Sequence, residues 1–406
     1  MSDTLQTASD DLLTEPQFWS KPHSDRMASY ARLRAESPVS WHPENVSDWL
    51  PEGGRGFWAV TRYADIVSIS KDFKNFSSAQ GTNPMDEPGR PVETLGMLHM
   101  DPPQHRRFRR IVNPAFTGDL LESLTPTIEK TADEVLDIFA DSAELDIVQP
   151  LIHNYTISVI CNILGLPQSE RGAFLAATMK AFGPDREAAI AGHNFMIDYV
   201  KTLAVERRAN PGEDVLSRVA TAQVEGEMLS DTDVAYFVAL LLGAGAETSA
   251  STIMQGMWNL FQNPDQLAAV RDDLDRLPKA VEEMLRIGSA VICFRRSATT
   301  DITIENADIK EGDKVVLFYE SGNNDETVFS TPGTFDIARD PNQHVSFGGY
   351  GPHLCLGAPL ARKEINTFYR KFLTRFSEFE ILQPPTFAPN QRFNIVTSMP
   401  VRLTQS

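Results

Sequence analysis

Residues Phe347–Gly357 read FGGYGPHLCLG, and four of these eleven are glycine, at positions 348, 349, 351 and 357. Such density lets backbone pass close to something bulky. Immediately afterwards Ala358-Pro359 opens a helical pattern that runs to about Phe376, with proline suited to the first turn. Cys355 is therefore expected at a helix N-terminus. There the helix dipole and free N–H groups should lower its thiol pKa and donate to the sulfur. One thiolate with no second cysteine or clustered histidine nearby is a poor set for zinc, which wants about four ligands. It suits an iron whose other ligands come from a porphyrin. The plainer alternative is a glycine-rich turn carrying an inert cysteine.

Outward from this loop, composition bounds the rest. The chain has 406 residues, 42% hydrophobic and 23% charged, ordinary proportions for a globular protein. No repeat, low-complexity stretch or Gly/Ser/Pro-rich linker divides it, so residues 1–406 read as one domain, with 1–15 expected to be disordered. A net charge of −18 argues against nucleic acid and against anionic membranes as partners. The N-terminus lacks a basic segment followed by an apolar one, and no run of about 18 apolar residues occurs. The expectation is a cytoplasmic protein with no membrane insertion. Three cysteines, Cys161, Cys293 and Cys355, do not make a disulfide framework. Cys161 lies in an apolar run and reads as core.

Strand signals sit near both ends: Gly56–Thr61, Ile302–Ile304, Lys314–Tyr319 and Phe379–Leu382. These segments are expected to share a small sheet. Helical spacing fills the middle, over Leu121–Ala140, Leu151–Leu164, Glu187–Arg208 and Asp231–Gln262, with a shorter helix at Lys279–Ile287. The pattern at Asp231–Gln262 starts at a Ser230 N-cap, stops at Asn263-Pro264, and spans roughly 45 Å. The fold class is mainly α with a small β region and a long, largely buried central helix.

Four further motifs carry chemistry. Ala244-Gly245-Ala246-Glu247-Thr248-Ser249 lies mid-helix, with a second glycine at 243. Each glycine costs a helix about 1 kcal/mol, so the pair suggests a local opening with room for a ligand. Alternatively Thr248 bonds back to its own helix and an arginine caps Glu247. Glu283 and Arg286, three apart, share a helix face. His105 and Arg109, in MDPPQHRRFRR, are four apart and also share a face. Arg296, in FRRSATTD, adds a cation, and Arg339 closes the run FDIAR.

In order and spacing these motifs resemble the cytochrome P450 superfamily. Phe347, Gly351, His353, Cys355 and Gly357 fill the places of its haem-binding loop, with Gly349 within it. The loop has one more residue between Phe347 and Cys355 than the commonest form. A bacterial subset shares that length, including enzymes acting on sterols and branched lipids. The resemblance implies haem b as cofactor, Cys355 as the iron ligand, and a cytochrome P450 fold with the long helix crossing the haem. It implies that His105, Arg109, Arg296 and His353 hold the haem propionates. At the family's oxygen groove, formed by Ala244 and Gly245, Thr248 would hold dioxygen and Glu247 would relay protons. Glu283, Arg286 and Arg339 would be a structural cluster behind the haem. Pocket positions are Leu95, Leu98, Met179, Ala244, Val291, Ile292, Phe294 and Val396. Arg295 would favour an anionic substrate if it turned inward, but an unpaired buried cation is costly.

The implied activity is hydroxylation, with dioxygen, of an apolar small molecule: a sterol, terpenoid, branched lipid or small aromatic. No flavin fingerprint or iron–sulfur cysteine cluster is present, so the electrons are expected from a ferredoxin and a ferredoxin reductase. Arg106, Arg107 and Arg110 are candidates for facing that partner. A peroxygenase, a rearrangement catalyst or a non-catalytic haem carrier are the competing readings. Retention of both Glu247 and Thr248 argues against peroxide chemistry.

Overall fold

A computed structural model describes residues 12–44, 52–85, 92–139, 144–182, 185–224 and 226–405. The helices that frame the site are α1 (Tyr63–Lys71), α2 (Gln104–Val112), α3 (Asn154–Ile163), α4 (Arg186–Ala209), α5 (Asp231–Gln262), α6 (Leu277–Gly288) and α7 (Ala358–Arg375). Helix α5 is the axis of the molecule. A capping box starts it: Ser230 Oγ accepts from the Asp233 N–H at 3.1 Å, and Asp233 Oδ2 accepts from the Ser230 N–H at 3.2 Å. Such a cap contributes about 1 kcal/mol. Asn263 ends the helix, and Pro264 opens the next.

Phe237, Leu242, Ile253 and Met254 of α5 are fully buried, as are Val159 of α3 and Phe368, Tyr369 and Phe372 of α7. Each such side chain contributes roughly 1.5–3 kcal/mol of apolar burial. Helix α5 is by length and composition able to cross a membrane, but 72% of its most apolar stretch is buried inside the fold. Its apolarity is explained by a core role.

Of the four segments expected to share a sheet, those at residues 56–61 and 314–319 meet in one, while Ile302–Ile304 pairs with Ala307–Ile309 in a separate hairpin and the segment at 379–382 lies in the second sheet. β1 (Val39–His42), β2 (Phe57–Val60), β3 (Phe76–Ser77), β4 (Cys293–Ala298) and β5 (Lys314–Phe318) lie in the order β1-β2-β5-β4-β3. β2 and β5 run parallel, with Ala59 opposite Val316. β5 and β4 run antiparallel, with Val315 opposite Arg296. A second sheet joins Glu144–Asp146, Phe376–Ile381 and Pro400–Gln405.

Three local expectations change. The run Leu121–Ala140 is two helices, Gly118–Ser123 and Thr125–Ile138, because Pro126 needs a helix start. The run Leu151–Leu164 begins inside a π-wound stretch, Val148–His153, with the Ile152 N–H donating to Ile147 O at 3.1 Å. Of residues 1–15, expected to be disordered, 12–15 are described and ordered. Leu13 is fully buried and its N–H donates to His42 Nδ1 at 3.0 Å. Residues 1–11 lie outside the described residues.

Candidate active site

The cysteine loop is fixed by its own backbone. The Cys355 N–H donates to Phe347 O at 2.9 Å, and the Leu354 N–H to Gly351 O at 3.0 Å. From α2, Arg109 Nη1 donates to Pro352 O at 2.9 Å. The Arg362 guanidinium lies 4.5 Å over the Phe347 ring. The glycines answer to α1. A Cβ at Gly349 would lie 2.7 Å from Ser70 Cβ, and one at Gly351 would strike the Ser70 carbonyl. The bulky neighbour inferred from the loop is thus, at these two positions, the end of a helix. The Gly357 and Ala358 N–H groups do point at the thiol of Cys355 and pull its pKa down. Cys355 is exposed to the cavity, but its depth inside the protein is the larger effect, so the net shift is upward, opposite to the direction expected from the helix dipole alone.

Cys355 lines a cavity of about 330 Å³, together with Ala244, Gly245 and Thr248 of α5 and with His105, Arg109, Arg296 and His353. The His105 and His353 rings lie 4.2 Å apart. Both ring nitrogens of His105, and Nε2 of His353, are buried without a hydrogen-bond partner. Burial, then the Arg109 cation, pushes His105 down to about 4. Burial, then Arg296, pushes His353 down to about 2. Four basic side chains, two of them with unsatisfied nitrogens, crowd one side of an otherwise apolar cavity. Such a set calls for anions. Two carboxylates placed there would relieve both the repulsion and the unmade bonds. Among the described residues no group of three His, Cys, Asp or Glu could hold a metal unaided, so an iron at Cys355 needs ligands from a macrocycle. The residues present therefore fit haem: a thiolate on one side, propionate partners at the rim.

Across the cavity, α5 stays helical through its glycines. The expected opening is absent. A Cβ at Gly245 would lie 2.7 Å from Ile160 Cδ1 of α3, so this glycine serves helix packing. Thr248 Oγ1 donates to Ala244 O at 2.6 Å, bonding back to its own helix while lining the cavity. Glu247 is turned away from the cavity and buried. Its partners are His153, with Nε2 3.4 Å from Oε2, and Ser251, whose Oγ donates to Oε1 at 3.3 Å. The cap weighed for it was an arginine; the structure supplies a histidine.

Of the predicted pocket positions, Leu98, Ala244, Val291 and Phe294 line the cavity. Ile292 does not. It is fully buried in the cluster behind the sheet with Cys293. Val396 is buried in the main core instead, and Phe393 and Arg392, a few residues earlier, face the cavity. The side chains of Leu95 and Met179 lie outside the described residues. Strand alternation settles Arg295: Phe294 and Arg296 face the cavity, so Arg295 faces away. Its Nη2 reaches Ser297 Oγ at 3.4 Å. The arginine that stacks 5.3 Å over Phe294 at the cavity wall is Arg392. Sequence reasoning also missed Phe116, Ile160 and Ile163 on this wall. Their only signal was apolar helix spacing, which core residues share.

Behind the cysteine loop, Glu283 holds Arg286 through two bonds of 2.7 and 2.8 Å, and both side chains are wholly buried. Arg339 Nε reaches the same carboxylate at 3.1 Å, and the Asp336 N–H adds a fourth donor. Arg286 also donates to Asn323 O, and Asn323 Nδ2 donates to Ser346 Oγ, next to Phe347. On the outer face of α2, Arg107 pairs with Glu227, while Arg106 is exposed and lies 5.0 Å over Phe73.

Comparison with known proteins agrees with this geometry. The family model Cytochrome P450 matches residues 50–165 and 182–401. A methyl-branched lipid omega-hydroxylase of Mycobacterium tuberculosis is 33% identical over 398 residues, covering 95% of this chain and 92% of the relative. A steroid C26-monooxygenase of Mycolicibacterium smegmatis is 33% identical, covering 87% and 85%. The structure of a Mycobacterium marinum cytochrome P450 in complex with pseudoionone superposes with a TM-score of 0.90 at 33% identity, covering 99% of this chain and 100% of that one. The chain belongs to the cytochrome P450 family and is a monooxygenase whose cofactor is haem b.

Proposed function

We propose that this monooxygenase hydroxylates an apolar lipid-like molecule, of the sterol, terpenoid or branched-lipid kind, in the cytoplasm, with electrons from a ferredoxin and its reductase. The observation that carries the reading is the single cavity lined by both Cys355 and Thr248, walled by Met97, Leu98, Leu240, Val291 and Phe294. An apolar wall with few polar groups selects apolar ligands. The relatives point the same way, being named for branched lipids and steroids, and the neighbouring structure holds pseudoionone.

When bound, haem b supplies the redox chemistry that activates dioxygen. Cys355 would ligate the iron, with its sulfur oriented by the Gly357 and Ala358 N–H groups. His105, Arg109, Arg296 and His353 would orient the macrocycle through its carboxylates. Net hydroxylation consumes one dioxygen, two electrons and two protons, and releases one water. Thr248 Oγ1 holds a proton at the cavity surface, at present shared with Ala244 O. Glu247, the next residue back, is the acid that resupplies it. The apolar wall keeps water from the reacting carbon.

The test is a ligand titration across sterol, terpenoid, branched fatty acid and aromatic panels, followed by turnover with a ferredoxin pair. The class that drives the iron to high spin should be hydroxylated. Thr248→Ala should keep haem and ligand binding while diverting electrons into peroxide. Full coupling in that variant would remove Thr248 from the relay.

A further inference from the structure

Glu247 has only 6% side-chain exposure, so bulk water does not recharge it directly. Its recharging route must run through neighbours. Ser251, one turn along α5, touches Oε1. His153 touches Oε2 from the neighbouring π-wound stretch, with its ring buried and Nε2 not aligned for a hydrogen bond in this state. The other ring nitrogen, Nδ1, lies 3.0 Å from Gln149 Nε2, and Gln149 is exposed. With the Gln149 amide as donor, Nδ1 is the acceptor, and a neutral ring then carries its proton on Nε2, the nitrogen that faces Glu247. Gln149 and His153 both belong to the π-wound stretch Val148–His153, a distortion frequent at functional sites. Side chains thus lead from the surface at Gln149 through the His153 ring to the Glu247 carboxylate, and Thr248 on the cavity wall is the next residue along α5.

We propose that His153 is the residue through which solvent protons reach Glu247. The Gln149 amide swings off Nδ1, and Nδ1 then takes a proton from a hydronium ion at that end, whose O–H bond breaks to leave water. The Nε2–H bond breaks as an Oε2–H bond forms on the Glu247 carboxylate. The ring is neutral before and after, and tautomer exchange restores the starting state before the next proton. Two such transfers serve each product molecule. No external oxidant or reductant is involved. This assignment rests on the reading of Glu247 as the relay acid given above, and it adds the entry point on the surface.

The experiment compares haem-loaded wild type with His153→Gln, His153→Phe and Glu247→Gln. Product per electron pair, peroxide yield and the solvent deuterium isotope effect are measured. Ligand affinity and the carbon monoxide difference spectrum serve as controls for an intact fold. Separately, 15N shifts of the His153 ring are read in histidine-labelled ferrous carbon monoxide protein, assigned by their loss in His153→Gln. The expected result is a fall of about 10-fold in coupled product in His153→Phe. A larger solvent isotope effect and unchanged ligand affinity should accompany it. The ring nitrogens should report a proton on Nε2 that responds to Glu247→Gln. If both His153 variants stay fully coupled while Glu247→Gln does not, His153 is not the route. A ring that keeps its proton on Nδ1 and ignores Glu247→Gln also overturns the proposal, even if His153→Phe fails to fold. If Glu247→Gln itself stays coupled, the relay reading falls first, and this inference with it.

Discussion

The two walls of the cavity are held by opposite means. On the cysteine side, a loop is locked by backbone bonds and backed by a buried ion cluster, with Glu283 collecting donors from Arg286, Arg339, Asn342 and the Asp336 N–H. On the α5 side, an apolar helix is held by packing. Its polar groups at the site are few: Thr248 bonds back to Ala244 O, the alternative weighed for it, and Glu247 meets a histidine and a serine instead of an arginine. The first wall must hold an iron ligand still, and it is braced from several sides, although His353 Nε2 and Asn342 Oδ1 keep no partner. The second holds Glu247 through two longer contacts, the 3.4 Å approach of His153 and the 3.3 Å bond from Ser251, which suits the proton role proposed for it.

The largest test of this contrast is Cys355→Ser. The strongly red-shifted Soret band of the reduced carbon monoxide complex should vanish, while Cys161→Ser and Cys293→Ser, both core residues, should keep it. A retained band in Cys355→Ser would move the ligand elsewhere. Next is Glu283→Ala, which leaves the wholly buried Arg286 without its carboxylate. Loss of about 3–5 kcal/mol is expected, read from urea unfolding and from weakened haem retention. A cost under about 1 kcal/mol would mean that the cluster is not what holds the loop.

The third test sits where the two walls meet. Glu364 of α7 is fully enclosed, accepts from Ser249 Oγ of α5 at 2.9 Å and leaves Oε1 unpartnered. Burial pushes its carboxyl up to about 8, against the pull of the Ser249 bond. Between the ordinary value of 4.5 and about 8 the folded chain keeps this proton and the unfolded chain loses it. Wild-type stability should therefore fall as pH rises through that window, by about 1.4 kcal/mol per unit from this group. Glu364→Gln should remove that slope, leaving the variant more stable than wild type at pH 8 by about 2 kcal/mol or more. Parallel stability–pH curves would show an ionised Glu364. The smallest effect is expected from Val396→Ala: about 1–2 kcal/mol of stability, with ligand affinity unchanged. Phe393→Ala, on the cavity wall, should instead shift ligand affinity.

The cysteine wall was legible because its chemistry is local in sequence. Glycine spacing, a thiol and a helix start all fall within residues 347–359. The ion cluster was also readable, since Glu283 and Arg286 are one helix turn apart. The α5 boundaries were legible from a cap and a proline. Partners drawn from other elements were not. Nothing in the sequence around Glu247 points to His153, and the Gly245 contact with Ile160 depends on how α3 crosses α5. Pocket residues at 292 and 396 failed for a related reason. Family position assigns segments, but local backbone decides which side chains face inward: Ile292 shares the parity of Phe294 yet lies just ahead of the strand Cys293–Ala298, where alternation does not hold.

The parallel pairing of β2 with β5 bears on when the protein can take up its cofactor. His105 and Cys355, which line the same cavity, are about 250 residues apart in the chain. Closing such a loop costs about 3 kcal/mol more entropy than closing a ten-residue one. Contacts of this separation form late. A ribosome that has released only the first three hundred residues has made the basic helix and the long apolar one with its neighbouring helices, but not the cysteine loop that completes the cavity. Cofactor capture is thus an event of the finished chain, and until then an exposed apolar wall has to be kept from its neighbours.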